Sequence, residues 1–292
     1  MMNFLEFVKT GSMSNLLIAH EPAIRLTCFL AVLAVMALWE AATPRRSRQV
    51  SRLRRWPSNL GIVALNVIML RLAFPLAAVG LSAFGEQRGF GLLNDLALPD
   101  WAKIAIAVAL LDLAIYLQHV MFHAVPALWR LHRMHHADLD FDVTTGVRFH
   151  PVEILLSMCL KLAVIATVGA PAVAVLVFEV LLNGTAMFNH GNVGLPLALD
   201  RALRWIVVTP DMHRVHHSVV PDETNSNFGF NLPWWDRLLG TYRAAPAAGH
   251  DAVTIGIDIF RDPAELRLDR MLMQPFVGAA GRYPINRRET TP

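Results

Sequence analysis

Eight histidines of this chain stand in three clusters: His119 with His123, His132 with His135 and His136, and His213 with His216 and His217. On a helix, residues three and four apart share a face, so each cluster can aim its imidazoles at one point. Neutral imidazole is a ligand for iron, copper, zinc and nickel. Eight converging imidazoles are too many for one ion, and the pattern predicts two. A lone histidine is ordinarily a satisfied core or surface residue. His20 and His250, which match no motif, are read that way; three spaced clusters are not.

The elements that must carry these clusters belong to a membrane protein. Of the 292 residues, 54% are hydrophobic and 17% charged, against about 25% charged in a soluble domain. A spanning helix needs roughly 20 apolar residues, and Ala23–Trp39, Leu60–Phe84 and Trp101–Phe122 supply them. The first lacks the basic n-region and cleavage site of a signal peptide. A fourth apolar block, Val152–Met187, is broken by Gly169-Ala170-Pro171 into two shorter limbs, which predicts a helical hairpin that need not cross fully. The expected fold is all-α: an integral membrane bundle of three spans plus a hairpin, with a histidine-rich helical cap. Cys28 and Cys159 are too few for a disulfide framework, an iron–sulfur cluster or a zinc finger. No nucleotide-binding glycine pattern is present, and the formal charge of +3 makes no case for nucleic acid.

Arginine sets the expected orientation. Arg45, Arg46, Arg48, Arg52, Arg54 and Arg55 lie between the first two spans, whereas the loop around Glu86–Asp100 carries only Arg88 among acidic residues. The positive-inside rule puts the arginine segment in the cytoplasm. All three histidine clusters then face the cytoplasm from the inner membrane.

Polar residues inside the apolar helices also call for an explanation, because charge there is costly. Asp112, Tyr116, His119 and His123 follow offsets of four, three and four, one helical stripe. Two roles suit Asp112: orienting a metal-bound imidazole through its other ring nitrogen, or an ion pair with Arg71. Lys161 and Glu179 are equidistant from Ala170 and are expected to neutralise each other across the hairpin. Trp234-Trp235 fits an interfacial aromatic belt. Asp262-Pro263 should start a surface helix carrying Leu266, Met271 and Met273, followed by a disordered tail from about Tyr283.

Several runs together resemble the fatty acid hydroxylase and sterol desaturase superfamily. They are Leu111-Asp112 with His119 and His123, Leu128 to His136, Arg148-Phe149-His150-Pro151, Thr209 to Ser218, Asn227-Phe228-Gly229, and Trp235 to Thr241. Val120 departs from the common pattern, where a basic residue often follows the first histidine. The resemblance implies a non-haem di-iron centre, O₂ as oxidant and a lipid substrate. It also implies a further ligand near Phe188-Asn189-His190, which makes His190 a ninth candidate. His150 is open between ligand, donor to a ligand, and helix-entry residue. Residues 1–243 would form the di-iron membrane domain with its cap, and 244–292 a segment with the surface helix and tail.

The reaction so implied is hydroxylation or desaturation at an unactivated C–H bond of a sterol, fatty acyl or alkylglycerol lipid drawn from the bilayer. The metals would do the hard chemistry while the protein fixes geometry and excludes water, and zinc could replace iron in purified protein. With no flavin, haem or iron–sulfur motif, electrons must come from a separate donor such as a ferredoxin, a cytochrome b5-like protein or a reductase. The competing class is a histidine-lined metal transporter or metal store. Its ligands belong near the bilayer midplane on broken helices, whereas these clusters fall at the end of a predicted span or just beyond it.

Overall fold

The computed structural model describes residues 12–75 and 77–286, and those residues are helical with no named strand. In chain order the helices are α1 (Ser12–Ala19), α2 (Glu21–Ala42), α3 (Arg52–Ala73), α4 (Ala77–Arg88), α5 (Asp100–Ala124), α6 (Pro126–His136), α7 (Pro151–Val168) and α8 (Ala172–Asn189). Shorter ones follow: α9 (Leu197–Leu203), α10 (Pro210–His216), α11 (Pro221–Thr224), α12 (Trp234–Leu238), α13 (Gly249–Ala252) and α14 (Leu268–Met273). Five helical stretches are long and apolar enough to cross a membrane: Glu21–Ala42, Arg52–Arg88, Asp100–Ala124, Pro151–Val168 and Ala172–Asn189.

The expected span Leu60–Phe84 is two helices. α3 starts earlier, at Arg52, and ends at Ala73, while α4 begins at Ala77. Pro75 lies between them. A proline has no N–H to donate and its ring clashes with the preceding turn, so the helix stops there, with Phe74 leaving helical geometry at φ −132°.

The hairpin forms as its Gly-Ala-Pro break predicts. α7 and α8 each run 18 residues, about 27 Å at 1.5 Å per residue. Gly169 ends α7 in the left-handed conformation, φ 68° and ψ 45°, which glycine adopts without a Cβ penalty. A second reason for glycine is the backbone of Gly91, which lies where a Cβ would stand. The same loop caps the turn, as Leu92 and Leu93 donate to the carbonyls of Thr167 and Val168. The main core packs α5 against this hairpin through Leu111, Ile115, Met158, Val175 and Phe178. Across the hairpin, Lys161 Nζ sits 2.8 Å from Glu179 Oε1, as the symmetry about Ala170 predicts.

The C-terminal expectations need two corrections. The stretch after Asp262 is a 3-10 turn, Pro263–Leu266, capped by the Asp262 side chain, and then the six-residue α14. Met271 is fully buried against Ile62 and Met134, so α14 packs onto α3 and α6. Tyr283 is buried as well, stacked on Trp129, and its hydroxyl donates to the Val219 carbonyl. Ile285 and Asn286 donate to the carbonyls of His123 and Ala124. An expectation built on position near the chain end failed because this segment has a hydrogen-bonded groove to fill. Residues 287–292 of that tail lie outside the described residues. Of the tryptophan pair, Trp234 is exposed while Trp235 donates inward to Asp112.

Candidate metal centre

Four helices deliver nine histidines to one buried place. His119 and His123 occupy the last turns of α5, His132, His135 and His136 the end of α6, and His190 the C-cap of α8. Thr209 caps α10 by accepting from the Met212 N–H, and that helix presents His213, His216 and His217. The ring nitrogens fall into two groups, each with its atoms within 4.8 Å of one another. One contains His119, His123, His132, His136 and His216; the other contains His135, His190, His213 and His217. The groups adjoin: the His136 and His217 rings stack at 4.5 Å between centroids, and those of His132 and His135 lie tilted at 5.1 Å.

Hydrogen bonding decides which nitrogen of each ring carries the proton. His119 Nδ1 donates to the Phe228 carbonyl at 2.7 Å and His132 Nδ1 to Glu153 Oε1 at 2.6 Å. His135 Nδ1 donates to the Arg148 carbonyl at 3.2 Å and His216 Nδ1 to the Ser226 carbonyl at 2.7 Å. His190 Nδ1 donates to the Ala186 carbonyl and Asn189 Oδ1. His123 Nδ1 donates to Asn225 Oδ1, an oxygen fixed in place because Asn225 Nδ2 donates to the Tyr283 carbonyl. A neutral imidazole has one N–H, so in all six rings Nε2 holds a lone pair. Yet His119 and His132 bring these nitrogens to 3.0 Å, and His135 and His190 to 3.2 Å. Lone pairs at that separation repel unless a cation lies among them.

Unpartnered atoms point the same way. His213 Nδ1 and Nε2 and His216 Nε2 are buried without a hydrogen bond, a condition that ordinarily costs about 1–3 kcal/mol per group. Burial, with the neighbouring imidazoles, pushes His135, His136, His213, His216 and His217 well below the usual histidine range. Burial alone takes His132 to about 3, and it dominates at His190, also about 3. The rings are neutral at pH 7, the form that ligates metal. The donor set fits two first-row ions.

Around the rings stands a frame of buried charge that the sequence reading did not pick out. Arg55 forms a fork with Asp138 at 2.8 and 2.7 Å and reaches Asp142 at 2.6 Å. Arg148 joins from the other side, 3.7 Å from Asp138. Although burial pulls Asp138 upward, Arg55 and Arg148 hold it well below the usual carboxylate range. These contacts fasten α3 to the loop behind His135-His136. Asp236 does the equivalent for His119: it accepts from the N–H groups of Phe228 and Gly229 at 2.7 and 2.9 Å, aiming the Phe228 carbonyl. Asp138, Asp140 and Asp142 at every second position were a visible signal. Arg55, the partner of Asp138 and Asp142, lies 83 residues from Asp138, so the pairing was not.

Asp112 stands elsewhere than expected, and His150 takes the helix-entry role, one of the three open to it. Asp112 touches neither an imidazole nor Arg71; it accepts from Asn231 Nδ2 and Trp235 Nε1, both at 2.8 Å, and from Leu232 N–H at 3.3 Å. It anchors the 231–235 segment against α5, because three donors there replace the single cation foreseen. His150 is outside both groups. Its Nδ1 accepts from Val152 N–H as the N-cap of α7, and Nε2 donates to the Leu272 carbonyl, which leaves no nitrogen for a metal. His20 precedes α2, and His250 Nε2 lies 3.9 Å from Asp211.

The profile of the fatty acid hydroxylase family matches residues 104–241. The chain is 32% identical to an ornithine lipid hydroxylase of Rhizobium tropici over 147 residues, 49% of this chain and 43% of that protein. It is 30% identical to alkylglycerol monooxygenase of Xenopus tropicalis over 136 residues, 45% of this chain and 28% of that protein. Cholesterol 25-hydroxylase of Rattus norvegicus is 28% identical over 149 residues, 50% of this chain and 48% of that protein. The chain thus spans less than half the length of these relatives. No solved structure matches it.

Proposed function

This chain carries, in residues 104–241, a fatty acid hydroxylase domain of the fatty acid hydroxylase and sterol desaturase superfamily, and on that premise we propose that it is an O₂-dependent, di-iron membrane enzyme that hydroxylates an unactivated C–H bond of a lipid. One observation carries the reading: imidazole nitrogens of nine histidines converge on two adjoining points beside a cavity with largely apolar walls. The names of the relatives, all hydroxylases or monooxygenases acting on lipids, favour hydroxylation over desaturation. When bound, the two irons supply reduction of O₂ to an oxidant strong enough for C–H cleavage, with electrons from a separate donor protein.

The chain's own residues bind, orient and exclude. His119, His123, His132, His136 and His216 would hold one ion, and His135, His190, His213 and His217 the other. In six of these nine rings an Nδ1 partner locks ring direction, a support that raises affinity about 10–100-fold in metal sites generally. Phe149 stacks on His135 and Phe230 lies against His119, keeping water off the metal-facing edges.

A cavity of about 240 Å³ reaches His119 and His132 from between α2, α3, α5, α7 and α8, walled by Val63, Val67, Ile115, Ile154, Met158 and Leu182. A lipid drawn fully into water would lose about 0.8 kcal/mol per CH₂, so entry between helices costs least. The hairpin borders this cavity, whereas Pro263–Met273 does not, because α14 packs onto α3 and α6 through Ile62 and Met134. For orientation we retain the cytoplasmic side. Arg52 and Arg55 are engaged with Glu40, Asp138 and Asp142, and Arg45 with Asp211 and Asp251, so that assignment leans on Arg46, Arg48 and Arg54. Iron content of detergent-purified protein, with O₂ consumption under added reductant and a membrane-lipid extract, tests the function. Two irons per chain and lipid-dependent uptake support it; an iron-loaded protein that never consumes O₂ rejects it.

A further inference from the structure

The cavity that ends at His119 and His132 has a second, charged end. There Glu179 is shared by two cations: Lys161 Nζ lies 2.8 Å from its Oε1, and Arg25 Nη1 lies 3.2 Å from its Oε2. Arg25 also reaches Glu21 at 2.9 Å. Arg25, Lys161 and Glu179 all line the cavity, and the Glu179 side chain is 2% exposed. Charges set into apolar helices are costly and mark functional positions more often than not.

Counting donors and acceptors shows what this end lacks. An ammonium offers three N–H donors and a guanidinium five. Among the described residues, Lys161 Nζ hydrogen-bonds to Glu179 alone and Arg25 to Glu21. Asn183, next along the wall, turns its amide nitrogen to the Glu179 carbonyl. Glu179 Oε2 has no hydrogen bond of its own and faces Arg25 at 3.2 Å; even with that contact counted, donors outnumber acceptors at this end. Towards the metals the surplus reverses, since Asn66 Oδ1 and Glu153 Oε2 are buried acceptors without partners. A hydrocarbon chain would satisfy neither end. A ligand with an acceptor oxygen at the Lys161 end would.

We propose that Lys161, assisted by Arg25, is the receptor for an acyl carbonyl oxygen, carboxylate or ester, of the lipid held in this cavity, and that it sets which carbon faces the metal centre. This deepens the lipid-hydroxylase reading and rests on it. Lys161 follows Glu153, the partner of His132, by eight positions on α7, about 12 Å of helix at 1.5 Å per residue. An extended chain crosses that distance in roughly nine carbon–carbon bonds of about 1.5 Å each. Lys161 is thus a positioning residue, remote from the reacting carbon, and oxidation falls near mid-chain of a long acyl group.

The test is equilibrium binding to metal-loaded protein in phosphatidylcholine nanodiscs, with four probes of one chain length: hexadecanoate, methyl hexadecanoate, hexadecane and hexadecylamine. Wild type should bind the first two about tenfold more tightly than hexadecane, as a charge-assisted hydrogen bond implies, and the amine no better than hexadecane. Lys161→Met should erase the preference while leaving hexadecane binding and metal content unchanged, and Lys161→Arg should keep it. The balanced variant Lys161→Met with Glu179→Gln guards against misfolding and should behave as the single one. The proposal is overturned by equal binding of hexadecanoate and hexadecane in wild type. It is also overturned by a preference that survives in both Lys161→Met and Arg25→Gln. Failure of the enzymatic reading looks different: the binding preference would persist while O₂ consumption was absent.

Discussion

The nine clustered histidines differ in what stands behind them, and this predicts how each substitution behaves. Replacing His135 or His217 with alanine removes a metal-facing ring, so metal content and turnover should fall together. His150→Ala should leave metal content intact and cost only the cap of α7, about 0.5–2 kcal/mol, seen as a lower Tm. Asp236→Asn is the sharper probe, because Asp236 touches no histidine. By loosening the Phe228 carbonyl it should weaken metal binding about 10–100-fold, measured by competition with a chromogenic chelator; unchanged affinity would mean that the Phe228 carbonyl does not orient His119. The imidazole pKa values add a pH prediction. Burial depresses the folded-state values of His132 and His190 to about 3 from an ordinary 6.5. Protons therefore bind the unfolded chain first, and stability present above about pH 6.5 is lost as pH falls towards 3. Melting temperatures of metal-free protein between pH 8 and 4 should show this decline, and a flat profile would contradict neutral burial. At this scale eight of the ligand candidates were legible from spacing, and His190 only from the family resemblance. The residues behind them were not: Glu153, Asn225, Phe228 and Asp236 become partners only through contacts distant in sequence.

At the scale of elements, the hairpin was legible because Gly169 and Pro171 punctuate an apolar run, and the pairing of Lys161 with Glu179 because the limbs are equal. The break after Ala73 was missed because an unbroken run of apolar residues hides what one proline does to a backbone. The ordered 283–286 segment was missed because nothing in its composition announces that α5 has two carbonyls to offer. The ion pair now includes Arg25, which changes the expected stability pattern. Lys161→Met leaves Glu179 paired with Arg25, whereas Glu179→Gln leaves Lys161 without a carboxylate and Arg25 with Glu21 alone. Glu179→Gln should therefore lower Tm more than Lys161→Met, and the double variant should recover part of the loss. Arg55→Met strands Asp138 and Asp142 in the interior, for which about 3–5 kcal/mol is the usual cost of a broken buried pair. Thermal melts rank these variants directly, and an Arg55→Met protein as stable as wild type would show that the carboxylates find other partners.

The whole molecule reads as a helical bundle with its histidines at one end and a cavity of about 240 Å³ leading to them. Membrane embedding was plain from composition. The cavity was not, since its walls come from five helices whose facing residues no single periodicity reveals. Narrowing it should separate binding from metal loading: Ile154→Trp or Met158→Trp should shift the accepted chain lengths while iron content stays at the wild-type level. Substituted cysteines at Arg48 and at Gln87, labelled from either side of intact cells, should place the histidine end in the cytoplasm. The most direct measurement of the central claim is incorporation of isotopically labelled dioxygen into lipid by reduced, iron-loaded protein, followed by mass spectrometry. The account predicts a hydroxylated lipid carrying one oxygen atom from O₂, formed by wild type and not by His217→Ala. A product whose oxygen derives from water, or equal labelling by His217→Ala, would contradict it.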